Sequence, residues 1–206
     1  NAAYCETYVI IQDPFNNCNN PSGPNATVSG ATKVNFNDPN MGVEDVNIGL
    51  SGVAPNGLPP VSTFMMTSGT GLYNFNAIPV AGNYSVTPLK DDNPMNGVST
   101  FDLVLMSKHI LGIEPLNSPY KIIAADINKN NSVTTFDIVE LRKLILGIYT
   151  ELPNNTSWRF VQKSFTFSNQ SNPFADTWPE MYQISDLQSN GFNAGDFVSV
   201  KIGDLN

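Results

Sequence analysis

Residues 91–113 read DDNPMNGVSTFDLVLMSKHILGI and residues 126–148 read DINKNNSVTTFDIVELRKLILGI, two stretches identical at 13 of 23 positions. An internal repeat decides architecture before any other signal does. Each copy opens with acid and amide side chains at alternate positions, passes a small residue and a Val, and reaches an Asp at the twelfth place as an amphipathic helix begins. That is calcium-loop chemistry: a hard cation takes about six to eight oxygens, which a twelve-residue loop offers from positions 1, 3, 5, 7 (backbone), 9 and 12. In the second copy these places hold Asp126, Asn128, Asn130, Ser132, Thr134 and Asp137, with Asn131 at the sixth, where the chain must turn sharply. The first copy gives Asp91, Asn93, Gly97, Ser99 and Asp102, with Asn96 at the turn. Its fifth place is Met95, which has no side-chain oxygen, so water, a carbonyl or a neighbour such as Asp92 has to complete the shell. The expectation is two Ca2+ sites, the second better furnished. With two carboxylates per loop, affinity should lie near the weak, extracellular end, about 10⁻⁴–10⁻³ M, and calcium should act as a staple.

Behind each loop, Leu103, Met106, Ile110 and Leu111, and then Ile138, Leu141, Ile145 and Leu146, recur at i, i+3, i+7 and i+8, one face of a helix. Gly112 and Gly147 are placed as left-handed caps, each followed by an Ile that folds back onto the last turn. His109 is the only histidine; Leu144 stands at its counterpart position, so packing or surface exposure is its expected role.

This tandem of loop–helix motifs resembles the type I dockerin over about 60 of the 206 residues. The resemblance implies docking: dockerins of cellulosomes plug enzymes into cohesin modules through loop positions 10 and 11. Here these are Thr100 and Phe101, repeated as Thr135 and Phe136. Phe departs from the polar residues usual there, and an exposed aromatic pair calls for cover from a partner or a neighbouring module.

Residues 27–90 show short alternating runs punctuated by Gly, Pro and Asn, as in Val46, Ile48 and Leu50, and predict a small antiparallel sandwich. The order GVEDVNIGLSG, then GLYNFNAIPVAGNYSVTPLK, is similar to carboxypeptidase-regulatory-like and collagen-adhesin B-type modules, which are stalk and spacer units of surface proteins. Residues 151–206 alternate at Trp158 and Phe160 and at Phe165 and Phe167, and end in DFVSVKIGDLN. This segment resembles the tail that follows dockerin-like units in Bacteroidetes-type secreted proteins. It is expected to be β-structure packed on the calcium helices and covering Phe101 and Phe136. Its last residues, Asp204-Leu205-Asn206, repeat the Asp-x-Asn opening of the loops and could donate a stray ligand. The fold expected is multidomain and mainly β with a small α calcium-binding domain: 1–26 an N-terminal strand and Cys loop, 27–90 a sandwich, 91–150 the calcium unit, 151–206 a C-terminal β-module.

Tyr4 to Gln12 reads as a strand without a hairpin mate, able to pair within its own chain or to add to the edge of another subunit. Cys5 and Cys18 would close a short disulfide loop in an oxidising compartment. Sequons at Asn25, Asn83, Asn130, Asn154, Asn155 and Asn169 are weak glycan signals in so Asn-rich a chain.

Composition narrows function further. Charged residues are only 14%, and the net charge of −8 with ten basic residues leaves no Lys/Arg footprint for a nucleic-acid backbone. No apolar run reaches 18 residues, and the start at Asn1 suits a processed protein or a segment of a longer one, secreted or on the cell surface. Catalytic signatures are missing: there is no G-x-S-x-G, no H-E-x-x-H and no Cys/His pairing. A carboxylate pair alone could serve a glycosidase, but most acids here belong to the two loops, so no enzyme is expected. Two roles remain. The leading one is a structural building block, a fibril- or pilus-like subunit or adhesin stalk that pairs with copies of itself. The other is a docking unit for a cohesin-like or cell-envelope partner. Covered Phe101 and Phe136 would favour the first, exposed ones the second.

Overall fold

Alternation builds the strands. Ile48 and Leu50 are fully buried while Gly49 and Ser51 face outward, the period-two signature of a sheet packed on one face. The computed structural model describes residues 24–206 apart from Phe36 and Pro39; the expected strand at Tyr4–Gln12 and the Cys5–Cys18 disulfide lie outside the described residues. Five strands come first: β1 (Asn25–Lys33), β2 (Asn47–Val53), β3 (Val61–Met66), β4 (Leu72–Pro79) and β5 (Asn83–Leu89). Three helices follow, α1 (Thr100–Ile110), α2 (Pro119–Ala125) and α3 (Thr135–Ile145), then β6 (Trp158–Gln162), β7 (Tyr182–Ile184) and β8 (Phe197–Lys201). The chain is mostly β with a small helical part.

The strands make two four-stranded sheets, ordered β4-β1-β8-β6 and β3-β2-β5-β7. Strands of the last segment therefore sit inside both: β8 runs parallel to β1, pairing Thr32 with Phe197, and β7 runs antiparallel to β5, pairing Tyr84 with Ile184. The sequence reading drew 27–90 and 151–206 as separate β units, and the pairing differs from that. Five strands alone would leave the free edges of β1 and β5 open, and the last segment fills both.

Between the sheets lies one core, with Val28, Ile48, Leu50, Phe75, Tyr84, Val86, Phe160 and Phe197. A second core lies on the other side of the β6–β8 pair. Val161 and Val200 turn outward from that sheet onto Met106, Ile123, Leu141 and Leu144 of the helices, joined by Phe167, Trp178, Ile202 and Leu205. Every residue of β8 is buried as a result, because the sheet is covered on both faces. Arg159, also on the outward side of β6, lays its guanidinium over the Trp178 ring at 4.9 Å and pairs with Glu180.

Candidate metal centre and docking surface

Each helix of the repeat starts from a reciprocal cap. Ser99 accepts the Phe101 N–H and Asp102 accepts the Ser99 N–H; Thr134 and Asp137 do the same for α3. The twelfth loop position is thus also the third helical position, which fixes its carboxylate at the mouth of the loop. At the far ends, the Gly112 N–H bonds the His109 carbonyl and the Ile113 N–H bonds Lys108, a pattern repeated at Gly147 and Ile148, with both glycines at φ +69. These are the expected left-handed caps.

The second loop closes on its own side chains. Asp126 receives the Asn130 and Asn131 N–H groups, both at 3.0 Å. Asp137 takes the Asn128 N–H on one oxygen at 3.2 Å and the Thr134 N–H on the other at 2.8 Å. Both carboxylates are fully buried, and burial, with the Asp137 charge adding to it, holds the Asp126 carboxyl above its usual range despite two N–H bonds. Asn131 turns the chain at φ +63, as its place in the repeat predicts. Asn128, Asn130, Ser132 and Thr134 lie on the same loop between the two acids.

The first loop is organised differently. Asp91 accepts the Ser157 N–H at 2.8 Å, and Asn93 donates to Asp92. Fully buried Asp102 takes the Leu205 N–H on one oxygen and the Ser99 N–H on the other, both at 2.8 Å. The left-handed turn falls at Gly97, φ +79, rather than at the expected Asn96. Ser157, Lys201 and Leu205, which the repeat could not reveal, join this loop to the sheets; the Lys201 ammonium donates to the Pro94 carbonyl at 2.8 Å. Burial lowers the Lys201 pKa to about 8. Asn155 holds the second loop by donating to the Asp126 carbonyl at 3.0 Å. Its amide nitrogen, the atom a glycan would need, is occupied and buried there.

Among the described residues no group of three or more His, Cys, Asp or Glu side chains clusters to hold a metal. What the loops offer is carboxylates in pairs with amides, hydroxyls and carbonyls. This all-oxygen donor set fits a hard cation such as Ca2+ and suits neither zinc nor copper.

The residues that the dockerin resemblance marks for docking lie outside the core. Phe101 is 54% and Phe136 71% exposed, so the last segment does not cover them, contrary to expectation. Thr100 and Thr135 beside them are exposed too. Leu111 and Leu146, placed on the inner helical face by periodicity, are 71% and 67% exposed, while Leu144 is buried in their stead. With Val104, Ile113, Val139 and Ile148 also exposed, both copies of the repeat present the same apolar residues to solvent. His109 accepts the Leu116 N–H on Nδ1, a structural role.

No curated protein matches the chain. No solved structure does either. Residues 91–146, about a quarter of the chain, match the family model of the Dockerin type I domain, the pair of loop–helix motifs just described.

Proposed function

We propose that this chain is a non-catalytic, calcium-stapled docking unit of an extracellular or cell-surface protein, whose repeated Thr-Phe face takes a cohesin-like partner. The observation that carries the reading is the exposure of Phe101 and Phe136 at the same place in two copies of a dockerin-type repeat. Dockerin type I domains bind calcium, dock on cohesins and occur in cell-surface proteins; among the described residues no helix is long and apolar enough to cross a membrane. Calcium in the second loop would rest on Asp126, Asn128, Asn130, Thr134, Asp137 and the Ser132 carbonyl. In the first it would rest on Ser99, Asp102 and the Gly97 carbonyl, with Asp91 and Asn93 as the partners expected from sequence. The fibril or stalk reading that the sequence favoured would have gained from covered phenylalanines, and they are exposed.

Two measurements test this reading. Surface plasmon resonance against an immobilised type I cohesin should show binding in calcium that is lost in EDTA. The double variant Phe101→Ala/Phe136→Ala should weaken it by about 100-fold, the size expected for two aromatic anchors. A chain that ignores cohesin and assembles into fibrils in light scattering would overturn the docking role. Separately, a ligand at about one hundred times its Kd adds about 2.7 kcal/mol of stability. Adding EDTA should therefore lower the melting temperature by about 5–10 °C per site. An unchanged melt sinks the calcium staple.

A further inference from the structure

The two loops have the same opening in sequence but not in structure. In the second, Asp126-Ile127-Asn128 sends Ile127 into the core and gives the Asn128 N–H to the twelfth-position carboxylate. In the first, Asp91 is drawn to Ser157, and Asp92 lies half exposed against Lys90. In the first loop the N–H for the twelfth-position carboxylate comes from the residues after β8, one place earlier in their Asp-x-Asn run. Asp204-Leu205-Asn206 sends fully buried Leu205 into the same core and gives the Leu205 N–H to Asp102 at 2.8 Å, while the Asn206 amide lies 3.4 Å from the same oxygen. The Gly203 N–H, bonded to the Ala124 carbonyl at 2.9 Å, anchors this turn beneath the loop.

Position 7 records the same arrangement. It is Ser132 in the second copy and Gly97 in the first, where a Cβ would run into the Asp204 carboxylate. The glycine leaves a cradle, and Asp204 occupies it. The Asp204 carboxylate lies against Gly97 and one residue from the Leu205 N–H that Asp102 accepts, so both acids reach the first loop, as Asp126 and Asp137 reach the second.

We propose that the first calcium site is composite: Asp204 and Asn206, from the turn after β8, supply its first and third ligand positions in place of Asp91 and Asn93. Resting on the calcium reading above, this makes the ion a clasp between the helical repeat and the sheets.

Isothermal titration of the full chain with calcium chloride tests it, alongside Asp204→Asn, Asn206→Ala and Asp91→Asn. The last keeps an oxygen for the Ser157 N–H, and Asn206 is exposed, so neither change threatens folding. The wild type should take up two ions. Asp204→Asn should weaken one of the two sites at least tenfold or abolish it, Asn206→Ala should weaken the same site, and Asp91→Asn should leave both within about threefold. A loss in Asp91→Asn equal to or greater than that in Asp204→Asn overturns the composite site while leaving calcium binding intact, as does a single wild-type site that Asp204→Asn does not touch. A wild type that takes up no calcium overturns the parent reading, and this one with it.

Discussion

Asp137→Ala should be among the most damaging single changes in the chain, costing about 2 kcal/mol in EDTA and about 5 kcal/mol or more in saturating calcium. The carboxylate is fully buried and accepts three bonds, from the Asn128 N–H, the Thr134 N–H and the Thr134 hydroxyl. Losing its half of the capping box costs about 1 kcal/mol, and leaving half-buried donors without a partner adds about 1–2 kcal/mol. Without calcium, part of this is offset, because Asp126 is freed from a neighbouring negative charge. With calcium there is no such relief, and the stabilisation from the bound ion is lost as well. Urea unfolding in the two buffers reads the difference directly. Equal losses in both would mean that Asp137 serves only the helix cap.

Trp178→Ala is the other large effect. Its ring is 8% exposed and stands between the Arg159 guanidinium at 4.9 Å and the Phe167 ring at 5.7 Å, with Phe174 at 6.2 Å. Truncating a buried aromatic costs about 3–5 kcal/mol, and removing the cation–π partner of the buried Arg159 adds about 2 kcal/mol. Because this core joins the helices to the outer face of β6 and β8, the whole chain should unfold earlier and in one step. Circular dichroism at helical and sheet wavelengths checks this. Two separated transitions, the sheet's unmoved, would show that the repeat and the sandwich are energetically independent.

What the sequence made legible was local. Gly112 and Gly147 at the helix ends are short-range signals and occupy the expected places, while Ser99, Asp102, Thr134 and Asp137, read from the sequence as ligand positions, also cap the two helices. Periodicity failed at Leu111 and Leu146, since i+8 lies at the rim of a helical stripe and α1 and α3 pack on each other through a narrower line centred on Met106, Leu141 and Leu144. The sheet order was hidden for a different reason. Thr32–Phe197 and Lys33–Val198 are the whole register between β1 and β8, and alternation looks the same whichever strand lies alongside. Likewise, D-x-N at 204–206 was readable as a motif, but its destination at Asp102 depends on tertiary structure alone.

The β1–β8 pairing has a kinetic consequence. Thr32 cannot meet Phe197 until nearly the entire intervening chain has been made, whereas the Asp126 and Asp137 side chains of the second loop bond within their own twelve residues. Long-range pairing of this kind slows folding, since loop closure comes before its reward. The second loop and α3 should therefore form early, ahead of the sheet pairing. Until β8 and β7 arrive, β1 and β5 present bare edges, and a stalled intermediate would be sticky along those two strands.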